Sequence, residues 1–146
     1  MDDHLKQLYQ TDPYLWLYQQ AELLLAHDFE RLDLPNLIEE LEAMGKNKRR
    51  QLEHRLEVLL THLLKFQIQR EHISSSWVYT IAEQRKSILQ LLKKMPSLRA
   101  DLDEAVARTY RDAVFFAAQQ TRLPKSAFPV ALPFSTKQVL DKDYFP

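Results

Sequence analysis

The chain has 146 residues, of which 45% are hydrophobic and 27% are charged. This balance is typical of one globular domain spanning residues 1–146 and not of a disordered segment. There is one glycine, Gly45, whereas an all-β protein of this length needs more glycine for its turns, so the composition favours helices. Cysteine is absent, which excludes disulfides, thiolate metal sites and cysteine nucleophiles.

The amino terminus and the hydropathy of the chain predict where the protein resides. Residues 1–4 (Met-Asp-Asp-His) are acidic, and no apolar run of signal-peptide length follows them. No stretch approaches the ~20 apolar residues of a membrane span. We therefore expect a soluble cytoplasmic protein with no membrane contact.

Charge is unevenly distributed along a chain whose net charge is zero. Residues 1–45 carry ten acidic and two basic side chains, whereas residues 46–99 carry four acidic and twelve basic ones. Two interpretations stay open: the acidic part packs beside the basic part, or the basic part forms a patch for nucleic acid. The first is favoured, because a domain with a pI near 7.0 is a poor non-specific binder of phosphate.

The first predicted helix begins at Asp12-Pro13, an N-cap followed by proline in the first helical position, and runs to about Ala26. Apolar residues recur along it at spacings of three and four and predict its buried stripe: Tyr14, Leu17, Ala21, Leu24 and Leu25. Residues 27–32 are predicted to form a short connection.

The second predicted helix begins near Asp33 and runs to about Gln69. Leu41, Leu52 and Leu63 are eleven residues apart, close to three helical turns, so they share one face. The stripe thus keeps its phase across Gly45, which favours one long helix in which the glycine permits close approach of a neighbour. The alternative is a helix that ends with Gly45 as its C-cap.

Two further helices and an aromatic tail complete the prediction. Ser74–Ser76 offer N-caps for a helix from Trp77 to about Lys94, and Pro96 opens another that ends near Thr121. Ser135 and Gln138 predict a capping box in the tail, whose prolines and aromatic residues we expect to pack on the helices. The sequence therefore predicts an all-α, up-and-down bundle of about four main helices, one of them long.

The motifs of common helical-bundle chemistry are missing from the sequence. No histidine follows a glutamate by three residues, no His-Glu-x-x-His motif occurs, and one glycine cannot build a phosphate loop. Glu39, Glu40 and Glu42 form the densest carboxylate group, which suits acid–base work or magnesium but suits a solvated helix surface better. We expect no cofactor, no metal and no catalytic residue.

One group of polar residues interrupts the apolar faces of the second and third helices. We call it the polar cluster: Arg55, His62, Lys65, Trp77, Gln84 and Arg85. Arg85 lies on the apolar side of its helix and needs a carboxylate or carbonyl partner, for which Glu53 or Glu57 is predicted. Whether the cluster is a core network or a site stays open.

Stretches along almost the whole chain carry a family likeness. They include Trp16 with Gln20-Ala21 and Leu24-Leu25, Leu32-Asp33, Asn36-Leu37, Glu39–Glu42, Met44-Gly45, Arg55-Leu56, His62–Gln67, Ser76-Trp77, Thr80-Ile81, Arg85, Pro96–Leu98, Phe128-Pro129 and Tyr144–Pro146. In these the chain resembles the bacterial domain-of-unknown-function family 29, DUF29. Phe66 stands where that family more often has tryptophan. The resemblance implies an all-helical fold and brings no activity, cofactor or catalytic residue.

Three functions follow as hypotheses. The first is a non-enzymatic helical module that binds another protein or a second copy of itself. The second is a nucleic-acid-associated protein that uses the basic segments 46–50 and 85–94, with Lys46, Lys48, Arg49, Arg50, Lys86, Lys93 and Lys94. The third is an enzyme with a site near His62, Trp77 and Arg85.

Overall fold

A computed structural model describes residues 3–146, and within this range the chain is all-helical with no strand. The helices are α1 (Asp3–Thr11), α2 (Pro13–Leu25), α3 (Leu34–Ile68), α4 (Ser75–Lys94), α5 (Leu102–Thr121) and α6 (Thr136–Leu140). Short 3₁₀ helices lie at Phe29–Arg31, Arg70–His72, Pro96–Asp101 and Lys125–Ala127. The predicted all-α bundle class is confirmed, and α1 is a helix that the sequence pattern did not predict.

Helix starts follow the capping residues that the sequence offered. The Asp12 carboxylate accepts the Leu15 N–H at 3.1 Å, and Pro13 occupies the first turn of α2. The Ser74 hydroxyl accepts the Trp77 N–H at 3.3 Å to begin α4. The predicted capping box of α6 is present, because Ser135 and Gln138 bond each other's backbone N–H groups.

Helix α3 runs unbroken through Gly45, as the phase of its leucines predicts. Gly45 has no positive φ, so it is not the left-handed C-cap of the alternative interpretation. The predicted close approach of a neighbouring helix is wrong, because a Cβ built on Gly45 meets no atom within 4 Å among the described residues. Gly45 therefore lies on an open helix surface.

The chain divides into two compact units, a first that ends at Lys48 and a second, Arg49–Pro146. Helix α3 supplies its first part to one unit and its remainder to the other. That these units act together as one domain stays a prediction. None of the helices among residues 3–146 is long and apolar enough to cross a membrane.

The second unit contains the main apolar core. It is built from the α3 leucines of its own part, from α4 and α5, and from the tail: Leu52, Leu56, Leu59, Leu60, Leu63, Leu64, Ile81, Ile88, Leu92, Val106, Ala113, Phe128, Phe134 and Val139. The Tyr110 hydroxyl donates to the Pro129 carbonyl, and the rings of Phe66 and Phe145 lie 5.2 Å apart. The predicted packing of the aromatic tail on the helices is confirmed.

The first unit has a small core that is partly polar. Its buried residues are Leu5, Trp16, Gln20, Leu32 and Asp33. The predicted stripe of α2 is wrong: Tyr14, Leu17, Ala21, Leu24 and Leu25 are all exposed, whereas Trp16 and Gln20, which do not belong to that stripe, are buried. The physical reason is that apolar residues occur on nearly every side of α2, so hydrophobicity alone does not determine which side is buried. The hydrogen bonds of Trp16 and Gln20 with Asp33 determine it instead.

Candidate functional site

The polar cluster is divided by the structure into separate contacts. The Arg55 guanidinium donates to the Gln84 side-chain oxygen at 3.3 Å, which links α3 to α4. Lys65 is buried, with its Nζ 4.6 Å from the centre of the Trp77 ring and 2.9 Å from the Gln120 side-chain oxygen. Burial lowers the pKa of the Lys65 ammonium. These contacts bind α3, α4 and α5 to one another.

Arg85 is the largest buried cation of the second unit, with 1% of its surface exposed. Its Nε donates to the Val139 carbonyl at 2.8 Å and its Nη2 to the Gln138 carbonyl at 3.1 Å, so it binds the last turn of α6. Its Nη1 is buried without a hydrogen-bond partner among the described residues. Desolvation lowers the pKa of the Arg85 guanidinium, and the charge of Asp141 partly opposes this.

The predicted glutamate partner of Arg85 is wrong. Glu53 accepts instead from Arg108 at 2.9 Å. Burial raises the pKa of the Glu57 carboxyl. Glu57 is not among the hydrogen-bond partners of Arg85, which are the carbonyls of Val139 and Gln138. Backbone carbonyls at the end of α6 satisfy two of the three guanidinium nitrogens, and the Gln138 carbonyl also accepts the Asp141 N–H at 3.3 Å.

His62 bonds within its own helix. Its Nδ1 lies 2.9 Å from the Val58 carbonyl, which can only accept, so the neutral ring carries its proton on Nδ1. Burial lowers the pKa of His62, and the nearby charge of Lys65 lowers it further, while the bond to Val58 raises it. The charged form of this histidine is therefore disfavoured.

A groove of about 370 Å³ lies beside Arg85 in the second unit. It is lined by Ala82, Arg85, Lys86, Leu89, Gln90, Lys93 and Lys142. Neither His62 nor Trp77 belongs to its lining, so this groove does not bring these two residues together with Arg85. Among the six residues of the polar cluster, only Arg85 borders this groove.

The carboxylates of residues 39–42 lie along the first part of α3. Glu39 and Glu42 are exposed, whereas Glu40 is half-buried and accepts the Tyr9 hydroxyl at 2.7 Å. This hydrogen bond, with desolvation and the charge of Glu40, raises the pKa of Tyr9 to about 12. Among residues 3–146 no group of three or more His, Asp or Glu side chains could hold a metal ion.

The basic residues of segment 46–50 also face solvent. Lys46, Lys48 and Arg50 are exposed, and Arg49 pairs with Asp101 at 3.2 Å. Along α3, exposed acidic side chains are therefore followed by exposed basic ones.

A buried hydrogen-bond network in the first unit was not anticipated from the sequence. The Trp16 indole N–H donates to Asp33 Oδ2 at 3.0 Å, and the Asn36 side chain donates to the same oxygen at 2.8 Å. The Asp33 N–H donates to the Gln20 side-chain oxygen at 2.9 Å, while Gln20 Nε2 and Asp33 Oδ1 have no partner among the described residues. These four residues lie in the stretches that carry the family likeness, and this was the only feature of the sequence that could have pointed to the network.

The long stripe of α3 has an exposed half and a buried half. From Leu52 to Leu64 its leucines are buried in the second unit, whereas toward the amino terminus the same face is uncovered. We call this uncovered part the exposed stripe: Leu34, Ile38, Leu41, Met44 and Gly45. Leu41 is 64% exposed and Met44 is 58% exposed. An apolar face of helical spacing thus continues beyond the core that covers it.

Helix α2 presents a second uncovered apolar face. Tyr14, Tyr18 and Leu25 lie opposite its buried Trp16 side, and Leu25 is 81% exposed. The rings of Tyr14 and Tyr18 contact each other edge to face at 5.1 Å. We call this the outer face of α2.

The fold and these surfaces define an all-helical protein whose buried polar groups join its helices and whose first unit exposes apolar faces. The family model described as Domain of unknown function DUF29 matches residues 8–145. The chain belongs to this family, as the resemblance predicted. Among the curated proteins and among the solved structures, no significant match to the chain was found.

Proposed function

We propose that the protein is a non-enzymatic helical module that binds another protein through its first unit. The observation that carries this proposal is the α3 stripe, which is buried from Leu52 onward and exposed from Leu34 to Met44. An amphipathic face of helical spacing is the form in which helices recognise grooves and other helices. A cytoplasmic location belongs to the same proposal.

The energetics favour covering these faces. Burying one exposed leucine contributes about 1.5–3 kcal/mol relative to leaving it in water. Single exposed apolar side chains are ordinary, but a contiguous group of them marks an interaction surface. Leu34, Ile38 and Leu41 follow one another at spacings of four and three, so they form such a group along one line of the helix.

Site-specific photocrosslinking tests this function. A benzophenone amino acid would replace Tyr18 on the outer face of α2 or Leu41 on the exposed stripe, with Gln119, an exposed residue of α5, as the matched control. We expect discrete protein adducts from Tyr18 or Leu41, and none from Gln119, in cells that make the chain. Adducts of equal yield at all three positions, or none at all, would contradict the proposal.

Nucleic-acid binding has weaker support. Lys46, Lys48 and Arg50 are exposed, but Glu39 and Glu42 lie about one to three turns away on the same helix and reduce the positive potential. Binding to a DNA duplex that falls steeply with added salt, and that Lys48→Ala weakens, would support this alternative.

An enzymatic function has the least support. His62, Trp77 and Arg85 make separate contacts, and the groove at Arg85 brings neither of the other two with it. A reaction centre needs its groups within reach of one substrate atom. The role of the polar cluster that we propose is structural.

A further inference from the structure

The groove beside Arg85 lies wholly within the second unit, and we call it the Arg85 groove. Its volume of about 370 Å³ falls in the range of roughly 300–1,000 Å³ that is typical of small-molecule sites. Along α4 it is lined by residues that follow one another at spacings of four, three and four and therefore share one face: Ala82, Lys86, Leu89 and Lys93. Lys142, which follows α6, also lines it, so the groove lies between this face of α4 and the segment after α6.

The walls of the Arg85 groove are mostly apolar. Leu89 is 40% exposed, and the methyl group of Ala82 lies about two turns before it on the same face of α4. The lysines extend these walls, because a lysine side chain presents a stem of methylene groups before its ammonium group. An apolar chain that occupies the groove therefore removes apolar surface from water on both the ligand and the protein.

The charged side chains that line the Arg85 groove are all positive. Lys86, Lys93 and Lys142 are exposed, and none of them forms an ion pair within residues 3–146. No carboxylate belongs to the lining, although three acidic residues lie close to it in the sequence: Glu83, Asp141 and Asp143. The groove therefore combines apolar walls with cations that have no counter-charge within hydrogen-bonding distance.

Arg85 adds a buried positive charge to this lining. Its Nε and Nη2 bind carbonyls at the end of α6, whereas its buried Nη1 has no hydrogen-bond partner among the described residues. The charge of Asp141 opposes part of the charge of Arg85. Because an unpartnered buried donor is unfavourable and anions are the strongest partners of a guanidinium group, this charge favours an anion in the groove.

The size of the groove favours a small molecule over a protein as its occupant. Seven residues line it, whereas a protein–protein interface engages about 20–30 residues on each side. We propose that the Arg85 groove binds a small amphipathic anion of the fatty-acid type, with its hydrocarbon chain along Ala82 and Leu89 and its carboxylate at the lysine ammonium groups. This site lies in the second unit and does not depend on the protein-binding role of the first.

Titration of the full chain with octanoate, followed by two-dimensional ¹⁵N–¹H NMR, tests the proposal. We expect saturable chemical-shift changes centred on residues 82–93 and on Lys142. Acetate has the charge without the chain, and 1-octanol has the chain without the charge, so each should bind at least about tenfold more weakly than octanoate.

Variants at exposed positions separate the two parts of the site. Lys93→Glu should weaken octanoate binding about tenfold, because it removes one attraction and adds a like-charge repulsion. Lys94→Glu is the matched control, an equal charge change at an exposed neighbour outside the lining, and should weaken binding less than about twofold. Ala82→Trp fills the groove and should abolish binding, and far-UV circular dichroism checks that each variant remains helical.

The proposal is overturned if octanoate causes no saturable shift up to about 5 mM, a concentration at which even a weak small-molecule site is occupied. It is also overturned if the shifts lie outside the Arg85 groove, if 1-octanol or acetate binds as tightly as octanoate, or if Lys93→Glu and Lys94→Glu weaken binding equally. Retained binding in a folded Ala82→Trp variant would likewise place the ligand elsewhere and refute the site.

Discussion

Replacing Asp33 by alanine tests the buried network of the first unit. Asp33 Oδ2 accepts two side-chain hydrogen bonds, from Trp16 at 3.0 Å and from Asn36 at 2.8 Å. Hydrogen bonds to a charged group contribute about 1.5–3 kcal/mol each, and an indole N–H left buried without a partner costs about 1–3 kcal/mol. Removing a buried carboxylate whose Oδ1 has no partner offsets part of this loss. We therefore expect Asp33→Ala to destabilise the first unit by about 3 kcal/mol.

Hydrogen exchange followed by mass spectrometry measures this loss where it occurs. A loss of about 3 kcal/mol raises the population of the open state about a hundredfold, so the amides of Pro13–Leu25 should exchange correspondingly faster. Asp28→Ala is the matched control, because Asp28 makes only a surface ion pair of 3.4 Å with Arg31 among the described contacts. Its removal should lower the free energy of unfolding by less than about 0.5 kcal/mol. Equal exchange in the two variants would refute the stabilising role of the network.

Three further predictions follow from single residues. Gly45→Ala should stabilise the monomer by about 0.5–1 kcal/mol in thermal unfolding, because the added methyl meets open space inside a helix; a lower melting temperature would contradict this. Ser135→Ala removes the acceptor of the Gln138 N–H and should cost about 1 kcal/mol, seen as faster exchange of residues 134–146. Burial lowers the pKa of His62 below the unfolded value of about 6.5. Below that pH the unfolded chain therefore binds a proton at His62 more readily than the folded chain does, and the free energy of unfolding falls as the pH drops. His62→Gln should flatten the fall in urea midpoint between pH 7.5 and pH 5, and an unchanged slope would show that His62 does not contribute.

The sequence predicted those features of the fold that local chemistry determines. Caps at Asp12, Ser74 and Ser135 begin helices because their side-chain oxygens satisfy N–H groups that have no helical partner. The phase of Leu41, Leu52 and Leu63 carries α3 through Gly45, since one glycine costs a long helix little.

Features that depend on distant parts of the chain were not predictable. Spacing indicated that α2 is apolar but not which face is buried, because the choice depends on Asp33, 17 residues from Trp16. For the same reason the partner of Arg85 was assigned to the neighbouring helix, whereas it lies 54 residues away at Val139. The polar cluster looked like one group in the sequence, and the structure resolves it into contacts between helices.

Both the sequence and the structure were needed to define the exposed stripe. The sequence gives the leucine repeat of α3, but only the structure shows that its cover begins at Leu52.

Thiol labelling tests the central claim most directly, because the chain contains no cysteine of its own. Leu41→Cys places one thiol on the exposed stripe, and Gln119→Cys places one thiol at an exposed position of α5. The account predicts that in a lysate of cells that make the chain, a bound partner slows maleimide labelling of Leu41→Cys relative to the purified chain and leaves the labelling of Gln119→Cys unchanged. Equal labelling rates of Leu41→Cys in the lysate and in the purified chain would contradict it.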